Sequence, residues 1–136
     1  MALALTNCRH YLNRVPLYTA MHAYFVAQIA ALAESYSDNA PTEVGGVAVT
    51  RVRDFSREQY EDSEGDSIPN AGMIIIELAD GNSFAVRPSG TEPKIKFYLF
   101  GKDAPAADLA ASKQKVADGL EKLWSALEAD AKTRMG

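Results

Sequence analysis

The feature that most constrains this chain is that its hydrophobic period changes twice. From about Pro16 to Tyr36, the residues Leu17, Met21, Tyr24, Phe25, Gln28, Ile29 and Leu32 follow the three-and-four spacing of one helical face. From Gly45 to Phe100 the apolar residues fall into runs with the two-residue period of strands. From about Ala106 to Lys132 the helical period returns, with a stripe of Leu109, Val116, Leu120, Leu123, Trp124 and Leu127. A period-two block between two helical blocks predicts an α+β domain: a four-stranded antiparallel sheet with helices packed on one face.

The boundaries follow from the residues that break each pattern. Pro16 suits a first helical turn, where its missing N–H costs nothing, and Ser37-Asp-Asn-Ala-Pro41 ends the helix with turn formers. Val47, Val49 and Val52 set a first strand that ends near Asp54-Phe55. The window Ser56 to Asn70 holds Glu58, Glu61, Asp62, Glu64 and Asp66 with Gly65 and Pro69, and predicts a solvated surface loop. Met73 to Leu78 forms a second strand, Asp80-Gly81-Asn82 signals a hairpin turn, and Ser83 to Arg87 returns as the third. The fourth, Ile95 to Phe100, puts Ile95, Phe97 and Leu99 on one face and Lys96, Tyr98 and Phe100 on the other. On its stripe, Trp124 is expected in the core with its indole edge near the surface.

Composition narrows the functional classes. A length of 136 residues fits one domain, and 47% apolar residues can build a core. Lys and Arg number 14 against 18 Asp and Glu, a net charge of -4 that argues against a nucleic-acid-coating surface while leaving room for one small basic pocket. The single cysteine, Cys8, excludes an intramolecular disulfide, and no Cys/His cluster has metal-ligand spacing, so the chain reads as cytoplasmic. No apolar run approaches the about 18–20 residues that span a bilayer. The first helix also lacks the basic face of a membrane-surface helix, so no membrane partner is expected. His10 and His22 have no partner carboxylate or nucleophile at recognisable spacing and are read as structural or exposed.

Chemistry concentrates between the third and fourth strands, in Arg87-Pro-Ser-Gly-Thr-Glu-Pro93. Arg87 offers a planar fork of donors suited to a phosphate. Ser89 and Thr91 add hydroxyls, Gly90 lets backbone N–H groups approach a ligand, and Pro88 and Pro93 stiffen both sides. Each charge-assisted hydrogen bond from such a loop contributes about 1.5–3 kcal/mol when shielded. An ordinary tight turn has the same composition, with Arg87 paired to Glu92, and that reading stays open on local chemistry alone. The loop is neither a Walker A nor a dinucleotide fingerprint: no Gly-Lys-Ser/Thr follows, and its one glycine precedes no helix. Lys94 and Lys96 either extend the positive potential beside the loop or solvate a sheet face. Glu92 is read as a loop organiser.

The string Arg87-Pro-Ser-Gly-Thr-Glu-Pro-Lys-Ile-Lys-Phe-Tyr98 resembles the phosphate-binding loop in the C-terminal domain of the α-D-phosphohexomutases. The resemblance extends through Gly46-Val-Ala-Val49, the Arg53-Asp54 strand end and the Asp80-Gly81 turn. It covers residues 41–136 as the C-terminal domain, with residues 1–40 as a helical lead-in from a preceding domain. The Glu-Pro-Lys-Ile-Lys-Phe-Tyr continuation is closer to the phosphoglucomutase/phosphomannomutase branch than to the phosphoglucosamine mutases. The resemblance implies a TATA-binding-protein-like sheet-and-helix layout. It also implies that Arg87, Ser89, Gly90 and Thr91 bind the non-transferred phosphate of a hexose phosphate, glucose or mannose 1- or 6-phosphate, with Lys94 and Lys96 in support.

The family's phosphoserine loop, Asp-x-Asp-x-Asp magnesium loop and Gly-Glu-x-Ser-Gly sugar loop do not occur in this sequence. The resemblance therefore implies a phosphate-binding part of a longer carbohydrate-metabolising isomerase, inactive alone. Its partners would be the parent's other domains, with Mg2+ bound elsewhere in the parent and no cofactor or metal in this chain. A free-standing sugar-phosphate-binding module is the alternative. A nucleic-acid-binding sheet, suggested only by the layout, is disfavoured by the acidic charge.

Overall fold

Alternation within Ile74–Leu78 decides which side of the sheet is covered. Ile74, Ile76 and Leu78 are buried, whereas Ile75 and Glu77 between them are half-buried. The computed structural model describes residues 2–4, 15–104 and 107–136; Cys8 and His10 lie outside the described residues. Along the chain run β1 (Ala2–Ala4), α1 (Val15–Asp38), β2 (Glu43–Val44), β3 (Val47–Asp54), β4 (Tyr60–Glu61), β5 (Ser67–Ile68), β6 (Ile74–Leu78), β7 (Ser83–Pro88), β8 (Lys94–Phe100) and α2 (Leu109–Met135). The main sheet has the order β1-β8-β7-β6-β3-β2, antiparallel throughout.

The α+β architecture is as expected, with one correction to the four-stranded sheet. The expected strands correspond to β3, β6, β7 and β8, and β1 and β2 extend the sheet by one short strand at each edge. Strands of two or three residues are too short for alternation to show. The acidic window is also not wholly irregular, because Tyr60 pairs with Ile68 and Glu61 with Ser67 in a small β4–β5 hairpin. Between β2 and β3, Gly45 and Gly46 both take positive φ, 59° and 79°, which L side chains adopt only under strain in so tight a turn.

Both helices pack on one face. From α1, Ile29, Leu32, Ala33 and Tyr36 join Ile76, Phe84, Val86, Ile95 and Phe97 of the sheet and Leu123, Leu127 and Ala131 of α2. Tyr36 is fully buried, edge-on to Phe84 at 6.3 Å and to Phe97 at 5.8 Å between ring centroids. Trp124 is partly buried and stands 6.1 Å from Phe97, as its stripe position predicts. Tyr24 and Leu109 depart from their stripes: both are exposed, Leu109 at 66%. Asp108 caps α2, its carboxylate accepting from the N–H groups of Ala110 and Ala111, and so fixes Leu109 at the first, outlying position of the helix.

The far end of α2 is fastened to the end of α1. The Arg134 Nη1 donates to the carbonyls of Ser35 and Asn39, each at 2.9 Å, and Nε donates to Asp130 at 2.7 Å. Its guanidinium lies 4.5 Å from the centroid of the Tyr36 ring. Burial first, and then the neighbouring Asp130, push the Tyr36 phenol well above its ordinary range, so it stays protonated.

Candidate functional site

The strand ladder, more than the loop, builds the site. On β7 and β8, Arg87 lies directly opposite Lys96, and both are exposed on the face away from the helices. Like charges facing each other across a ladder are unfavourable by a few tenths of a kcal/mol or more, unless an anion shares them. Among the described residues no ion pair engages Arg87 or Lys96. The opposed pair opens on a cavity of about 260 Å³ lined by Arg87, Pro88, Ser89, Gly90, Glu92, Lys94 and Lys96.

The loop over this pair is held by its own short bonds. The Ser89 N–H donates to the Lys94 carbonyl at 2.9 Å, and the Lys94 N–H donates to the Glu92 carbonyl at 2.7 Å. The Ser89 hydroxyl accepts from the Glu92 N–H at 3.2 Å, which leaves its own O–H to donate outward. Glu92 does not pair with Arg87; its carboxylate meets the Lys94 ammonium. Gly90 is a surprise of a different kind. Its φ is not positive, and a Cβ built there meets nothing within 4 Å, so neither backbone strain nor crowding within the domain requires a glycine.

Five of the six expected residues, Arg87, Ser89, Gly90, Lys94 and Lys96, line this one cavity. Thr91 is exposed and is not among the lining residues, while Pro88 and Glu92 are. His22 is half-buried on α1, away from the loop in sequence and element. Among the described residues no group of three or more His, Cys, Asp or Glu could hold a metal, so the side chains here do not fit a magnesium site. No helix among the described residues is long and apolar enough to cross a membrane.

A second polar arrangement escaped sequence reasoning. Asp54, at the end of β3, is 6% exposed. Its carboxylate accepts from the Ser37 hydroxyl at 2.6 Å, from the Ser56 N–H at 2.9 Å and from the Ser56 hydroxyl, and the Arg57 Nε lies 3.3 Å away. Burial would raise its pKa, but the bonds from Ser37 and Ser56 and the Arg57 charge outweigh that and hold it below the usual carboxylate range. The local half of this knot, an Asp followed two residues later by Ser, was readable as an Asx turn. Its partner on α1 was not.

With this geometry in hand, comparison with known proteins gives consistent results. The family model for the phosphoglucomutase/phosphomannomutase C-terminal domain matches residues 20–119. A phosphoglucomutase of Staphylococcus haemolyticus is 43% identical over 77 residues, covering 53% of this chain and 14% of that protein. A probable phosphomannomutase of Haemophilus influenzae is 36% identical over 85 residues, covering 61% and 16%. A phosphoglucomutase of Staphylococcus aureus is 33% identical over 91 residues, covering 63% and 16%. The matches thus span only 14–16% of the length of these relatives.

Proposed function

The chain belongs to the phosphoglucomutase/phosphomannomutase C-terminal domain family, and from that premise we propose that the cavity over β7 and β8 holds the phosphate of a hexose phosphate. The observation that carries the reading is the pair Arg87 and Lys96, opposed across the ladder and facing one cavity with no ion-pair partner among the described residues. Arg87 supplies a bidentate fork and Lys96 a point charge, and Ser89 donates its hydroxyl proton. The backbone at Gly90 lies open to close approach by an oxygen. Thr91 completes the set as the loop closes on the ligand. Lys94, partly neutralised by Glu92, contributes less than Lys96.

In the longer parent, a cradle that grips one phosphate and leaves the other end of the sugar free would place that end at the reacting group. This is a positioning contribution to an intramolecular phosphoryl transfer. The sequence holds no phosphoserine loop, and no group among the described residues fits a magnesium ion, so the nucleophile and Mg2+ are assigned to other domains of the parent, and the chain alone is expected to be inactive. On this reading the parent works as an isomerase in cytoplasmic carbohydrate metabolism.

The test is a ¹⁵N-correlation NMR titration of this chain with inorganic phosphate and with glucose 1-phosphate, run in parallel on Arg87→Ala. Saturable shifts at residues 87–96 that vanish in the variant are expected. No shifts at tens of millimolar ligand in the native chain would overturn a phosphate cradle in this domain.

A further inference from the structure

Beyond the cradle, the face of the sheet turned away from the helices continues as an ordered surface. β8 buries Ile95 and Phe97 against the helices and exposes Lys96, Tyr98 and Phe100 on the opposite side. The register places Ala85 directly opposite Tyr98, one row along the same two strands from Arg87 and Lys96. Residues two apart on a strand share a face about 6.5–7 Å apart. Tyr98 therefore stands next to Lys96 at the distance that separates a phosphate from the body of a sugar ring esterified to it.

The chemistry of that position is distinctive. Tyr98 is 39% exposed, and no hydrogen bond or ring contact engages it among the described residues. Across the ladder it meets Ala85, which is itself covered at 1% exposure, and beyond Ala85 lies Ile75. A partly exposed aromatic ring with a small neighbour, beside two cations, combines apolar area with a few polar groups, as ligand sites do. A planar amphipathic side chain with two rotatable angles offers this area at low entropic cost.

We propose that Tyr98 is a positioning residue for the uncharged part of the ligand: its ring lies against the carbon face of the sugar while Arg87 and Lys96 hold the phosphate. The inference rests on the cradle reading and adds to it, because the cradle alone grips a phosphate whatever it is attached to. With the platform, the domain discriminates a hexose phosphate from the free anion.

Calorimetric or NMR titration of the intact chain separates the two. The native chain should bind glucose 1-phosphate about two- to tenfold more tightly than inorganic phosphate, the range that one ring contact contributes. In Tyr98→Ala that preference disappears through loss of glucose 1-phosphate affinity, whereas the affinity for inorganic phosphate, which has no ring to contact, stays within about twofold. Tyr98→Phe, which keeps the ring and drops the hydroxyl, retains the preference. Equal native affinities for the two ligands, or a preference that survives in Tyr98→Ala, would overturn the platform while leaving the cradle standing. Absence of binding by either ligand would remove both.

Discussion

Two polar clusters in this domain are mirror images in charge. At Asp54 one buried anion is surrounded by donors from its own chain: two hydroxyls, a backbone N–H and a guanidinium. At Arg87 and Lys96 the cations and the outward Ser89 hydroxyl stand around a cavity, and the one carboxylate there is already paired with Lys94. The first is electrostatically complete and joins α1 to the end of β3. The second has no ion-pair partner for Arg87 or Lys96 among the described residues, which is what the proposed phosphate site requires. The two clusters differ in whether donors and acceptors balance within the protein, and the proposal for the second rests on that difference.

Substitutions that act oppositely on stability and binding would sharpen that contrast. The largest stability effect is expected for Asp54→Ala, which strands the Ser37 and Ser56 donors and should lower unfolding free energy by about 3 kcal/mol. Urea unfolding measures it, and a loss below about 1 kcal/mol would show that the knot is not what holds β3 to α1. Arg87→Ala, which is expected to abolish the phosphate response in the titration above, should shift stability by less than about 0.5 kcal/mol, because an exposed side chain with no ion-pair partner among the described residues, facing another cation, contributes little to the fold. Gly90→Ala should split the two properties. The position has ordinary φ and open space, so alanine should stabilise the fold by about 0.5 kcal/mol through the unfolded chain. If the proposed phosphate sits in the cavity, the same methyl should weaken its binding by about 1 kcal/mol or more. A variant that is both more stable and equally good at binding would place the ligand away from Gly90.

The smallest effect is that of acid. The Asp54 carboxyl is held below its usual range in the folded state, so its stabilisation is fully present above the unfolded carboxylate pKa. It is lost as pH falls from about 4 through the folded value. Urea midpoints compared at neutral pH and near pH 3 should fall less in Asp54→Ala than in the native chain, since the variant has no such carboxylate to protonate.

The sequence revealed whatever repeats or is chemically unusual over a short span. The stripes of both helices, the four longer strands and most residues lining the cavity at β7 and β8 follow from period or from local composition. Contacts that depend on distant pairing were not legible. Ser37 looks like a helix-ending residue, and only the fold turns its hydroxyl to Asp54. Tyr36 falls at the end of its pattern beside turn formers, yet among the described residues it heads the fully buried side chains by size. Tyr24 sits on the apolar stripe but is exposed, whereas among the described residues α1 joins the buried core from Ile29 onward. The strands at the two edges of the sheet are too short to leave a pattern.

The bond from Arg134 to the carbonyl of Ser35 also constrains the order in which the domain forms. It joins residues 99 positions apart, whereas β6 pairs with β7 and β7 with β8, each with the next strand in the chain. The meander can form while the polypeptide is still emerging, since each hairpin closes a short loop. The two helices can be clasped only after almost the whole chain is available, against the entropy of closing that long loop. Until then the apolar face of the meander lacks the cover that α2 provides, and on the ribosome that interval is when this domain is most exposed to misassociation.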